Sequence, residues 1–137
     1  MKEKAFVRII SGKYKGRKLI CPPPSKTRPT SDRSRQAVFN ILEHQFNIHW
    51  PSTTVADICA GSGSMGVEAL SRGAAGITFV EHDKEVAHIL RENLTIMNLH
   101  GLSKIFISDA RNLARADQPC TLIFLDPPYN RNLENDI

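Results

Sequence analysis

The stretch from Thr53 to Gly66, TTVADICAGSGSMG, restricts the possible folds more than any other part of this chain. Val55, Ala56 and Ile58 form a β-prone apolar run that holds one acid, Asp57, and the run breaks at Gly61-Ser62-Gly63. Helical periodicity resumes from Met65 to Leu70. Strand, glycine turn and helix in that order open a parallel α/β sheet with a ligand over the turn. Glycine belongs there because the turn needs backbone angles that side chains resist, and because a ligand must approach bare backbone. A nucleoside-type cofactor is expected.

The remaining pattern extends the same architecture. Ile77 to Val80 reads as a second strand ending at Glu81. Asp83 then caps a helix whose Val86, Leu90, Leu94 and Met97 make its buried stripe. Lys104 to Ser108 reads as a third strand, followed by Asp109-Ala110, and Thr121 to Leu125 as a fourth, ending in Asp126-Pro127-Pro128-Tyr129. Upstream, Val7 to Ile10 and Arg17 to Cys21 suit a hairpin around two glycines, and Pro22-Pro23-Pro24 a stiff linker. Thr30 or Ser31 starts a helix predicted to reach about Phe46, with Ala37, Val38, Ile41, Leu42 and Gln45 or Phe46 on its inner face. These segments divide the chain into a basic hairpin and linker over 1–30 and an α/β body over 31–137.

A chain of 137 residues has room for one core. With 41% hydrophobic and 23% charged residues it falls among soluble globular proteins. No apolar run is long enough to span a bilayer, and MKEKAFVRII is not a signal peptide, so no membrane partner and a cytoplasmic location are expected. Cys21, Cys59 and Cys120 lack metal-ligand spacing, so neither zinc, nor any other metal, nor a disulfide framework is expected.

Charge is distributed unevenly. Up to Arg35, eleven Lys/Arg face two acids, whereas beyond it seven face twelve. A basic segment ahead of an acidic body suggests a polyanion held by the N-terminal part, the alternative being a merely solvated arm. Lys13, Lys15, Arg17 and Lys18 on the hairpin, beside Tyr14, could grip phosphates and stack a base. Arg28, Arg33 and Arg35 cluster at a helix start, where anions are already favoured.

Gly61-x-Gly63-x-x-Gly66, with Glu81 about 20 residues on, satisfies the dinucleotide fingerprint and is compatible with NAD. Asp57 argues otherwise, since a carboxylate at the mouth of the turn would repel a pyrophosphate. S-adenosylmethionine has no phosphate. Its ribose would satisfy Glu81, its amino and sulfonium groups would welcome Asp57, and its adenine amine could donate to Asp109. Ala60, His82 and Ala110 adjoin these residues and complete the cofactor set. In Asp-Pro-Pro-Tyr, the Asp126 carboxylate and the Pro127 carbonyl make two acceptors for the two N–H groups of a planar exocyclic amine. Tyr129 would stack on its ring. This chemistry leaves guanine and adenine both open.

DICAGSGSMGVEALSRGA, FVEHDKE, SDA and IFLDPPY, together with RIISGKYKGRKL and RPTSDRSRQAVFNIL, resemble the bacterial 16S ribosomal RNA guanine-N2 methyltransferase family within the class I S-adenosylmethionine-dependent enzymes. The resemblance runs from about Arg8 to Tyr129. It implies methyl transfer to the N2 amine of a guanine in small-subunit ribosomal RNA, naked or within an assembly particle. Asp57, Gly61, Gly63, Glu81 and Asp109 would then bind the cofactor, Asp126 to Tyr129 the amine, and the hairpin and Arg28 to Arg35 the RNA. It also implies a Rossmann-like sheet of strand order 3-2-1-4-5-7-6, of which this chain reaches the fourth strand. An apparently truncated sheet would leave that strand as an open edge able to self-associate. A catalytically idle remnant that binds cofactor or RNA, and an adenine-N6 methylase, are the competing readings.

Overall fold

The computed structural model describes residues 5–24, 26, 30–112 and 119–126. β1 (Phe6–Arg8) and β2 (Lys18–Ile20) form an antiparallel ribbon. There follow α1 (Asp32–His44), β3 (Thr54–Ile58), α2 (Ser64–Ser71), β4 (Gly76–Glu81), α3 (Lys84–Ile96), β5 (Ser103–Ile107) and β6 (Leu122–Leu125). The last four strands make one parallel sheet in the order β5-β4-β3-β6. Both the α/β class and the first-strand-inside order match the expectation, and the order reverses between β3 and β6, where such sheets bind ligands.

Apolar spacing sets the layers. Val86, Leu90, Leu94 and Met97 are buried and bring α3 onto the sheet, as their helical period required. Gly66 lets α2 lie almost directly on β4, since a Cβ there would sit 2.1 Å from Ile77 Cδ1 and 2.5 Å from Phe79 Cε1. The main core gathers Val55, Val67, Ile77, Phe79 and Leu90 from this unit, and Ile9 and Leu19 from the ribbon join it. Each such side chain contributes about 1.5–3 kcal/mol by burial.

Two elements depart from the sequence reading. The strands of the ribbon are shorter than expected because the amides of Ile10 and Ser11 leave the ladder and donate to Glu68 of α2. In α1 the buried face is Arg35 and Phe39, Leu42 packs partly buried against the core as expected, Ala37 and Ile41 are exposed, and the helix stops before Phe46, which is 69% exposed. Phe39 sets this rotation. Its ring lies 5.7 Å from the rings of both Trp50 and Phe124, with the Arg72 guanidinium 4.6 Å from its centre. Hydrophobic periodicity cannot anticipate a face that includes a buried arginine.

Among the described residues β6 pairs on one side only, with Ile123 and Leu125 exposed. No helix of the described residues is long and apolar enough to cross a membrane.

Candidate cofactor and nucleic-acid site

Three adjacent parallel strands deliver Asp57, Glu81 and Asp126 to one edge. Ile58 of β3 is in register with Val80 of β4 and Leu125 of β6, so Glu81 and Asp126 stand on either side of the chain as it leaves β3. The chain there turns left-handed at Cys59 (φ 62°), Gly61 (φ 58°) and Gly63 (φ 80°) before α2 begins. Glycine is needed twice over at Gly63, where a Cβ would also lie 2.3 Å from Leu90 Cδ1.

Glu81 is buried and holds the turn. Its Oε1 accepts the Gly61 amide at 3.0 Å and its Oε2 the Asp83 amide at 2.9 Å, with His82 Nδ1 3.3 Å from the same Oε2. The Ala60 amide donates to the Val80 carbonyl, closing the turn against β4. Asp57 lies beneath the turn rather than at its mouth, as the sequence reading had it. It is 4% exposed and takes one amide, that of Gly66, at 3.1 Å. Burial pushes its carboxyl up to about 8, the Gly66 amide opposes this, and the charges of Asp126 and Glu81 add to the rise.

Beside the turn lies a pocket of about 240 Å³ lined by Cys59, Val80, His82, Ser108, Asp109, Ala110 and Arg111. Asp109 is engaged more fully than expected. Its Oδ1 accepts the backbone amide and Nε of Arg111 at 2.9 and 3.0 Å, and its Oδ2 accepts Nη2 at 2.7 Å. This arginine holds the carboxyl well below the usual carboxylate range. Arg111 escaped the sequence reading, although the Asp-x-Arg spacing at a strand end was the available signal. The sequence pattern considers Cys59 only as a metal or disulfide candidate. Burial first, and then the charge of Glu81, pushes its thiol up to about 11, so it lines the pocket as a neutral group.

The basic residues separate into two sets. Lys13, Lys15, Arg17, Lys18 and Arg33 are exposed. Arg35 is not, and this corrects its expected role facing RNA. It is fully buried, donates Nη2 to the Arg8 carbonyl and to Asp32 Oδ1, and lies 3.9 Å from Glu68 Oε1. Tyr14 is half-buried against the core instead of standing free to stack. Arg28, Pro127 and Tyr129 lie outside the described residues.

The family model described as conserved hypothetical protein 95 matches residues 7–137. The chain is 40% identical over 128 residues to ribosomal RNA small subunit methyltransferase D of Escherichia coli strain K12, covering 93% of this chain and 62% of that protein. It is 39% identical over 138 residues to the protein of the same name from Haemophilus influenzae, covering 95% and 67%. A solved structure of the Escherichia coli protein yhhF aligns with TM-score 0.82 at 38% identity, covering 96% of this chain and 71% of that one. The chain thus spans about three-fifths of the length of its Escherichia coli relative.

Proposed function

This chain belongs to the family described as conserved hypothetical protein 95, and from that premise we propose that it is the cofactor-binding and target-amine portion of a methyltransferase. The enzyme would use S-adenosylmethionine to methylate the N2 amine of a guanine in small-subunit ribosomal RNA. The observation that carries this reading is the convergence of Asp57, Glu81 and Asp126 at the ends of three neighbouring strands.

The residues at this edge suit a cation. A glycine turn that binds pyrophosphate offers its amides to phosphate oxygens. Here the Gly61 amide is already given to Glu81, and two further carboxylates lie close by. That arrangement opposes a dinucleotide and favours a positively charged sulfur cofactor. When bound, the cofactor supplies an electrophilic methyl group on a sulfonium.

This chain's residues do the rest. Glu81 orients the turn and keeps a lone pair on each oxygen for ribose hydroxyls. Asp57 places a carboxyl under the turn, whose ionisation a nearby cation promotes. The pocket between His82 and Asp109 takes the adenine. Asp126 accepts an N–H of the target amine, so that the nitrogen lone pair points along the transfer line. Pro127 and Tyr129 supply the second acceptor and a stacking face. Lys13, Lys15, Arg17, Lys18, Arg28 and Arg33 hold RNA phosphates.

The test is incorporation of labelled methyl groups into unmodified 16S RNA and small-subunit particles. It should be run with this chain and with a version that carries the relatives' additional length. Methylated guanine in the digest supports the reading. Methylated adenine, or binding of S-adenosylmethionine without turnover by the longer version, contradicts it.

A further inference from the structure

We propose that Glu68, a buried carboxylate that touches neither cofactor nor RNA, is a positioning residue for the RNA. With Ser71 and Asn93 it fixes the basic ribbon at a set distance from the cofactor edge. The inference rests on the reading that the exposed lysines of the ribbon contact RNA, and it adds the residues that hold them there.

An isolated two-stranded ribbon is marginal in water, and this one does not stand alone. Four of its amides donate to side chains on the helices. Ile10 and Ser11 donate to the two oxygens of Glu68 at 2.8 and 3.1 Å, Tyr14 to Ser71 Oγ at 3.0 Å, and Ile20 to Asn93 Oδ1 at 2.9 Å. The contacts are reciprocal, since Ser71 Oγ donates to the Ser11 carbonyl at 2.7 Å and Asn93 Nδ2 to the Ile20 carbonyl at 2.9 Å. Glu68 is completely buried, and its charge is met by Arg72 Nε at 2.9 Å and by the more distant Arg35. Side chains that replace ladder partners in this way define both position and rotation of the ribbon.

The docking site has a definite address. Lys26 binds Asp83 at 3.0 Å at the start of α3, beside the cofactor pocket, whereas Ile20 meets Asn93 far along the same helix. From Asp83 to Asn93 an α-helix covers about 15 Å at ~1.5 Å per residue. The basic turn of the ribbon sits at the opposite end of α2 from the glycine turn, with the Lys13 amide on the Ser71 carbonyl at 2.7 Å. Its lysines therefore grip RNA remote from the target base, and a ribbon free to swing would lose that register.

The experiment measures S-adenosylmethionine affinity by calorimetry, and affinity for a structured 16S RNA fragment over a range of salt. It compares wild type with Glu68→Gln, Ser71→Ala and Gly12→Ala. Gly12→Ala moves the ribbon without changing a charge, because its Cβ would meet the Ser71 carbonyl oxygen at 2.0 Å at φ +89°. We expect cofactor affinity within about twofold of wild type and a salt slope for RNA lower by about 1 to 3. Adding alanines at Lys13, Lys15 and Lys18 should then cost less affinity in Glu68→Gln than in wild type. Folded variants with wild-type RNA affinity and slope would overturn the inference, as would equal loss of cofactor and RNA binding. Should Glu68→Gln fail to fold, Gly12→Ala and Ser71→Ala decide the matter. A wild type that binds cofactor but shows no salt-dependent RNA affinity removes the RNA reading itself.

Discussion

Glu68 and Asp57 are both buried carboxyl groups on the unit that begins at β3, and they are treated in opposite ways. Glu68 accepts two backbone amides and an arginine Nε, and a second arginine stands nearby. Asp57 accepts one amide and faces the charges of Glu81 and Asp126. A buried charge whose partners are complete holds a scaffold together. One that faces like charge with a single amide donor is stabilised in its ionised form by any cation that comes near. The contrast separates the ribbon-docking half of the molecule from the cofactor edge without reference to any relative.

That contrast can be broken in several ways. The largest effect is expected for Asp126→Ala, which should slow methyl transfer by roughly 10²–10³-fold while cofactor affinity by calorimetry stays within a few fold. Comparable loss of both would make Asp126 a cofactor ligand. Glu68→Ala leaves two buried guanidinium groups without their shared partner and should cost about 3–5 kcal/mol in urea unfolding. Gly66→Ala forces a methyl group against Ile77 and Phe79 and should cost about 1–3 kcal/mol.

Asp57 gives the most diagnostic stability effect, because it depends on pH. Its folded-state value of about 8 lies above the ordinary 3.8. Between these values the folded chain keeps a proton that the unfolded chain has lost. The stability is therefore present at low pH and is lost as pH rises towards 8. Thermal melts of wild type should show this decline, and Asp57→Asn should flatten it.

Much of the sheet was legible because each strand and helix there obeys a single period. Val86, Leu90 and Leu94 announced the face of α3, and the glycine turn announced the parallel crossover. Where polar groups decide the packing, the pattern was silent. Arg35 looked like a surface cation because nothing in its neighbours shows that Glu68, 33 positions on, lies buried against it. The i, i+4 spacing of Glu68 and Arg72 along a buried helix was the trace it left. At the site, the strand-end acids were readable from position alone, but their partners were not. The Gly61 amide on Glu81 and the Arg111 clasp on Asp109 depend on turns whose angles no periodicity encodes.

A calorimetric titration of the wild-type chain with S-adenosylmethionine at pH 7, in two buffers of different ionisation enthalpy, probes the cofactor edge itself. Binding accompanied by proton release, with the release absent in Asp57→Asn, is what a cation seated above a protonated buried acid requires. Absence of binding, or preferential binding of NAD with an affinity indifferent to Asp57→Asn, would contradict it.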